Sequence, residues 1–351
     1  MKSLKVGYWP LSSDLMSAGD RRRVVFWAQS RGHQLIADLS QKVDVVIASE
    51  KSDFNSRVFA KLQAPLIFDL VDAYLSPLNK FDDLARGIAK NISGDISGGI
   101  KTFSRHIKDF CSSADAVICS SVEQENLISP YNSNTHVILD SHEELPFIHV
   151  KRIKPRTIEK NWILWEGQPA TIRGVRTISS ILAQLAETKD LSFDFVTDES
   201  YHQLLGKYLK RDTLTLLRKD LSEVFSKVSI TPWTPNNLIE SAQRSTLAMI
   251  PIDLSVPMQR LKPENRLLIM WRLGIPSLTS CSPAYVRVSN QAGVKATCED
   301  SKAWIQKISQ LLEDSNFAFD EVVRGQSYLQ EHHTRSIILK KWDRAIESVM
   351  G

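Results

Sequence analysis

The densest group of residues able to do chemistry lies in Leu261-Lys-Pro-Glu-Asn-Arg-Leu-Leu-Ile-Met-Trp-Arg-Leu-Gly-Ile-Pro276. Its apolar spacing predicts a helix from Asn265 to Leu273, with Gly274-Ile275-Pro276 ending it and entering a strand. Lys262, Asn265 and Arg266 then fall at the helix start. Free N–H groups and a positive partial charge there favour phosphate, and the two cations would add charge-assisted hydrogen bonds. A solvated cationic helix start has the same composition, so the surroundings must decide. Further back, Trp165-Glu-Gly-Gln-Pro-Ala-Thr-Ile-Arg-Gly-Val175 reads as a strand, a loop and a helix start. Gly167 would let a ligand approach the backbone, and Arg173 would neutralise an anion. An ordinary turn with a surface arginine looks alike. Two carboxylates, Asp69 and Asp72 in Phe-Asp-Leu-Val-Asp-Ala, follow a strand. Either could act as general base toward a hydroxyl; otherwise one caps a helix and the other is solvated.

Other polar residues cluster after strands. Ser12, Ser13, Asp14, Ser17 and Gly19 follow the first, with Asp20 a plausible helix N-cap. Ser120, Ser121 and Glu123 follow the fifth strand, and Asp140, His142 and Glu143 the sixth; His142 reads as a packing residue more readily than as a base. No metal motif is expected: His332-His333 lies in a tail helix, where adjacent side chains point to different sides. There is no P-loop, no G-x-G-x-x-G and no G-x-S-x-G elbow.

The elements that position these residues alternate. Short β-rich runs at Val6–Trp9, Leu35–Ala37, Val43–Ala48, Pro65–Leu70, Ala116–Cys119 and His136–Leu139 are separated by helices at 20–30, Phe54–Leu62, 78–113 (broken at Gly94 and Gly98-Gly99) and Val122–Ile128. After a basic, Pro-containing stretch, the alternation restarts. Strands are expected at Trp162–Trp165, Ser192–Val196, Lys227–Thr231, Leu247–Ile252, Ser277–Thr279 and Lys295–Thr297. Helices are expected at Val175–Glu187, Asn236–Gln243, Asn265–Leu273, Lys302–Leu312 and, in one or two pieces, Glu321–Met350. Such alternation predicts parallel sheets covered on both faces. The fold class is therefore α/β, with two doubly wound Rossmann-like domains facing a cleft. The expected divisions are 1–150, a linker at 151–160, 161–325, and a helical tail at 326–351 that packs back on the first domain.

The 351 residues carry 44 Lys and Arg against 40 Asp and Glu, a net charge of +4, with 42% apolar and 24% charged residues. This is a globular composition, and the net charge gives no reason to expect nucleic acid. The basic runs Arg21-Arg22-Arg23 and 151–156 could meet an anionic membrane, although such runs are more often solvated faces. No window of 18 consecutive apolar residues suggests a membrane span. The N-terminus lacks an apolar h-region and reads as a strand, not a signal peptide. Cys111, Cys119, Cys281 and Cys298 are scattered, which fits a reducing cytoplasm.

From about residue 160 to 300 the chain resembles the donor-nucleotide domain of GT-B glycosyltransferases of the bacterial surface-polysaccharide type. The resemblance rests on Gly167 with Arg173-Gly174, on Val228-Ser-Ile-Thr-Pro-Trp-Thr234 and Met249-Ile-Pro-Ile-Asp253, and on Lys262-x-x-Asn265-Arg266 before Gly274-x-Pro276. It implies donor contacts from Gly167, Arg173, Trp233, Pro251, Asp253, Lys262, Asn265 and Arg266, with 255–260 a flexible loop over the donor. It also implies acceptor contacts in the first domain from Ser13, Gly19, Asp20 and Ser121, with Asp69, Asp72 and Asp14 as candidate catalytic carboxylates. One departure stands out. The paired glutamates of the common retaining families would fall at Leu261 and Ile269, so the ribose contact is unassigned and the stereochemistry stays open.

The resemblance implies a cytoplasmic, metal-independent hexosyltransferase-like enzyme without a cofactor, in bacterial polysaccharide biosynthesis. Its partners would be a nucleotide sugar and a glycan or lipid-linked acceptor, with a peripheral position at the inner membrane a further expectation. The alternatives are a noncatalytic transferase-like binding subunit and a nucleotide-sugar 2-epimerase.

Overall fold

The structure, a computed structural model, describes residues 2–53, 61–77, 80–92, 101–150, 161–203 and 209–351. Nearly all of the helix read at Phe54–Leu62, the breaks read at Gly94 and Gly98-Gly99, and the linker at 151–160 lie outside the described residues. The chain divides into two units. The first comprises Met1–Glu143, Leu261–Pro263 and Thr334–Gly351; the second comprises Glu144–Arg260 and Glu264–His333.

In the first unit, β1 (Lys5–Trp9), β2 (Gln34–Ile36), β3 (Val45–Ser49), β4 (Leu66–Leu70), β5 (Ala116–Cys119) and β6 (Thr135–Val137) form one sheet in the order β2-β1-β3-β4-β5-β6. Every pairing is parallel. β3 and β5 are buried along their whole length, as expected of apolar runs covered on both faces. Helices α1 (Val25–Arg31), α2 (Lys80–Ile92), α3 (Phe103–Ser113) and α4 (Val122–Ile128) connect the strands. On one face Trp27, Ile47, Ile67, Ile118 and Trp342 share a core; on the other, Phe68, Ile107 and Phe110 do.

The second unit contains β7 (Asn161–Glu166), α5 (Arg173–Arg176), α6 (Ser179–Thr188), β8 (Leu191–Thr197), β9 (Ser200–Gln203), β10 (Leu209–Asp212), α7 (Thr213–Asp220), β11 (Val228–Pro232), α8 (Pro235–Arg244), β12 (Leu247–Ile250), α9 (Pro257–Arg260), α10 (Asn265–Arg272), β13 (Ser277–Ser280), α11 (Pro283–Ala292), β14 (Thr297–Cys298), α12 (Ser301–Glu313) and α13 (Ser315–His332). Its main sheet runs β11-β8-β7-β12-β13-β14, again all parallel, and β9 and β10 form a separate antiparallel pair. Trp165, Phe193, Phe195, Leu217 and Trp304 anchor one continuous core. Caps define many helix starts: Thr234 accepts from the Asn237 N–H ahead of Pro235, and Asp300, Asp314 and Thr334 do the same for α12, α13 and the last helix, α14 (Arg335–Met350).

α14 belongs to the first unit. Trp342 stacks on Trp27 with ring centroids 5.8 Å apart. The Trp27 indole donates to Asp343 at 3.1 Å, and Arg31 pairs with the same carboxylate. α13 stays with the second unit, so the change of unit falls between His333 and Thr334, not at residue 326.

Several local expectations are corrected. Asp20 is not an N-cap: Gly19 occupies that place, and Asp20 is the first residue of a π-helical turn, Asp20–Val24, that runs into α1. The helix expected at Val175–Glu187 is two pieces, α5 and α6. β12 stops at Ile250, because Pro251 has no N–H to give the ladder. The loop expected at 255–260 contains the short helix α9. α7, α11 and the β9–β10 pair were not expected at all. Arg21-Arg22-Arg23 is not a surface patch either, since Arg22 and Arg23 are buried. No helix among the described residues is long and apolar enough to cross a membrane.

Candidate functional site

In open parallel sheets, ligands bind beyond the carboxyl ends of strands where the strand order reverses. In the second unit that point lies between β7 and β12. Glu166 and Gly167 leave β7 there, and Pro251 to Asp253 leave β12. The two exits approach closely: a Cβ on Gly174 would stand 2.3 Å from the Pro251 carbonyl oxygen. That contact is with backbone, which cannot rotate away. Gly174→Ala should therefore lower stability by about 1–3 kcal/mol, measured by urea denaturation, whereas a surface change at Arg176 should be neutral.

The α10 start brings a cation and an amide acceptor to this point. Arg266 donates from Nη1 to the Glu166 carbonyl at 3.0 Å, and its guanidinium lies over the Trp165 ring at 5.8 Å. Burial holds the phenol of Tyr285 above its ordinary value, although the Arg266 charge lowers it. A Cβ on Gly167 would meet Arg266 at 3.0 Å, so the glycine leaves room for that side chain. Asn265, the first residue of α10, has a buried Oδ1 with no hydrogen-bond partner among the described residues. Beside it, the buried Glu264 carboxylate takes two bonds of 3.2 Å from Arg287.

The other expected donor residues are placed unevenly. Arg173 is exposed at the start of α5, a helix of one turn that offers little dipole of its own. Trp233 is half-buried, and its indole donates to Glu166 Oε1 at 2.9 Å. Pro251 and Asp253 lie beyond the end of β12; Asp253 is used locally, accepting from the N–H and hydroxyl of Ser255 at 3.1 and 2.5 Å. Lys262 precedes the helix and falls in the first unit, with Nζ 3.4 Å from Asp72 Oδ1.

In the first unit the corresponding reversal lies between β1 and β3. The loop after β1 is organised by the buried Asp20. Its carboxylate accepts from the Tyr8 hydroxyl at 2.5 Å, the Leu11 and Ser12 N–H groups at 2.8 and 2.9 Å, and the Ser12 and Ser17 hydroxyls at 2.7 and 2.6 Å. Asp20 is thus committed to holding the loop in shape. Ser13 and Asp14 project from it. Asp14 is held below its ordinary value by the Met16 N–H and Ser12, which makes it a weak base. A Cβ on Gly19 would meet the Leu11 side chain at 2.3 Å. Ser121 is buried and caps α4 by accepting from the Gln124 N–H at 3.2 Å.

Asp69 is part of a buried charge network. The Arg23 guanidinium, fully buried, reaches Asp69 at 2.6 and 3.0 Å, Asp140 at 3.2 Å, the Ile138 carbonyl at 2.7 Å and Ser120 at 3.3 Å. Burial raises the Asp69 carboxyl while Arg23 pulls it back down. Its geometry is that of a counter-ion. Asp72, beyond the end of β4, is half-exposed and paired only loosely with Lys262.

Sequence reasoning missed Glu50, which follows β3. Its Oε2 accepts from the Val71 and Asp72 N–H groups at 3.0 and 3.2 Å, and its Oε1 from the Tyr74 hydroxyl at 3.4 Å. Burial first, and the Asp72 charge second, push its carboxyl up to about 8. The only signal in the chain was a glutamate directly after an apolar strand. A raised carboxyl binds its proton more tightly in the folded state than in the unfolded one, so its contribution to stability is lost as pH rises from about 4.5 to about 8. Glu50→Gln should remove that loss. The stability difference between variant and wild type should grow toward pH 8, by at most about 1.4 kcal/mol per pH unit, in urea titrations at pH 5 and pH 8. Among the described residues, no group of three or more His, Cys, Asp or Glu side chains converges as a metal site would require.

No protein-family model and no curated protein sequence matches the chain. Solved structures do match. HepE from Anabaena, crystallised in complex with UDP and glucose, superposes with a TM-score of 0.69 at 13% identity over 98% of this chain and 100% of its own. WaaG, a glycosyltransferase involved in lipopolysaccharide biosynthesis, gives 0.57 at 12% identity, with 99% of each chain covered. TarM gives 0.56 at 12% identity over 86% of this chain but 54% of its own, so the chain spans about half the length of TarM. At such identities the likeness is one of fold: two Rossmann-like units in a single chain, the GT-B fold of glycosyltransferases.

Proposed function

We propose that the protein is a glycosyltransferase that moves a sugar from a nucleotide-sugar donor to an acceptor hydroxyl. The observation that carries this reading is the Arg266 side chain at the α10 start, set beside an unpartnered Asn265 amide oxygen at the strand-order reversal of the second unit, in a chain whose fold is that of HepE with UDP and glucose bound. In the proposed reaction the second unit holds the nucleoside diphosphate. Arg266, the α10 N–H groups and the exposed Arg173 stabilise the charge that develops on the leaving diphosphate. Preorganised donors of this kind are the largest single contribution in many enzymes. Metal-independent transfer is part of the proposal, because cations of the chain itself supply this charge.

The first unit offers the acceptor hydroxyl to a carboxylate. Of the three candidates, Asp72 is favoured: Asp69 is engaged with Arg23, and Asp14 is too weak a base. Lys262 is the partner of Asp72 within the same unit. WaaG is involved in lipopolysaccharide biosynthesis, which supports surface-glycan assembly as the setting; a glycan or lipid-linked acceptor, a bacterial cytoplasmic location and a peripheral membrane position are part of the proposal. The test is a thermal-shift panel of UDP, GDP, ADP, TDP and CMP. A ligand at about 100 times its dissociation constant should add about 2.7 kcal/mol. One nucleotide should stabilise the wild type; no shift with any of them would overturn the donor assignment. Binding without sugar transfer to any hydroxyl acceptor would point instead to a noncatalytic subunit.

A further inference from the structure

The absent helix glutamates leave a nucleotide's ribose without a carboxylate partner in α10, yet a carboxylate stands next to that helix start. Glu166 ends β7 and is 7% exposed. Its Oε1 is fixed by the Trp233 indole at 2.9 Å. Its Oε2 is shielded from solvent and has no hydrogen-bond partner among the described residues. A buried acceptor left unsatisfied is costly, and more so when it is charged, so this oxygen calls for a donor that no described residue supplies. The Glu166 carbonyl is also the group that Arg266 grips at 3.0 Å. Glu166 is thus held at both ends: Arg266 binds its backbone carbonyl and Trp233 its side-chain carboxylate.

We propose that Glu166 is the ribose-recognition residue of this protein, its free carboxylate oxygen accepting a hydrogen bond from a ribose hydroxyl of the bound nucleoside diphosphate. This inference rests on the donor-nucleotide reading above. A carboxylate repels phosphate and needs a donor group. A nucleoside diphosphate carries phosphate, ribose and base, and Arg266, Glu166 and Trp233 offer a cation, an acceptor and an aromatic ring, one suited to each. Trp233 acts as a positioning residue, since its indole fixes which carboxylate oxygen is left for the ligand. The carboxylate thus comes from the end of a sheet strand in place of a helix.

The experiment is calorimetric titration of UDP and GDP, each with its 2′-deoxy and 3′-deoxy forms, into wild type, Glu166→Ala and Trp233→Phe. The wild type should bind the ribonucleotide at least about tenfold more tightly than one of its deoxy forms, the range expected for a hydrogen bond to a charged group. Glu166→Ala should bring that ratio close to one while leaving the affinity for inorganic pyrophosphate unchanged. Trp233→Phe, which removes one hydrogen bond and little volume, should reduce the ratio without abolishing it. Ribonucleotide binding with no discrimination against either deoxy form, or discrimination that survives Glu166→Ala, overturns the inference and leaves the donor reading intact. Wild-type protein that binds none of UDP, GDP, ADP, TDP and CMP overturns both.

Discussion

Arg23→Met should destabilise the first unit by about 3–5 kcal/mol, the usual cost of removing one partner from a buried ion pair. Arg23 is fully buried and bonds to Asp69, Asp140, Ser120 and the Ile138 carbonyl. Its guanidinium also lies over the Trp342 ring at 5.8 Å. Removing it strands two carboxylates and a carbonyl away from water. Arg23→Lys should recover only part of the loss, because one ammonium cannot reproduce a fork that meets Asp69 through both Nε and Nη2. Adding Asp69→Leu to Arg23→Met should return some stability, since fewer charges are then left uncompensated. Urea denaturation of the single and double variants reads all three effects. A loss below about 1 kcal/mol for Arg23→Met would show that the network is not a structural pair and would reopen Asp69 as a base.

The second large effect concerns turnover. Under the proposed reaction, Arg266→Ala should lower kcat/KM by about 10²- to 10³-fold, the range for loss of one preorganised donor to developing charge. Release of nucleoside diphosphate from the nucleotide sugar chosen by the thermal-shift panel measures it. Arg266→Lys should rescue poorly, because the fork also holds the Glu166 carbonyl and lies over Trp165. Asp253→Asn, which alters a carboxylate already used in its own turn, should stay within about threefold of wild type. An Arg266→Ala enzyme equally close to wild type would remove the main cation from the proposed chemistry.

Sheet architecture was legible wherever a strand is buried on both faces. Ala116–Cys119 and the following helix Val122–Ile128 have the expected limits, because an uninterrupted apolar run and a serine cap are local signals. The α10 start at Asn265 was legible for the same reason, with Gly274 closing the helix. β9 and β10 were not, since polar strands such as Leu209–Asp212 carry no apolar run. α11 was passed over despite Pro283 at its start, because Val286 and Val288 weaken its helical pattern.

The candidate site was harder to read, and the reason is distance along the chain. Asp69 meets Arg23 across 46 residues, and Asp140 meets it across 117. No pattern in Asp-Leu-Val-Asp distinguishes a counter-ion from a base, and none in Arg21-Arg22-Arg23 reveals that its last member is buried. Glu50 and Glu166 were invisible in the same way. Each gains its character from groups that only the fold brings near: Val71, Asp72 and Tyr74 for the first, Trp233 and Arg266 for the second. Arg266, by contrast, was found because a helix start announces itself locally and concentrates positive potential there.

The most direct test of the donor site is a crystal structure of the protein with the best-binding nucleoside diphosphate. The diphosphate should lie within hydrogen-bonding distance of the Arg266 guanidinium and the first N–H groups of α10, in the second unit. A nucleotide bound elsewhere on that unit, or bound with Arg266 still turned to the Glu166 carbonyl and no phosphate at the α10 start, would contradict the account.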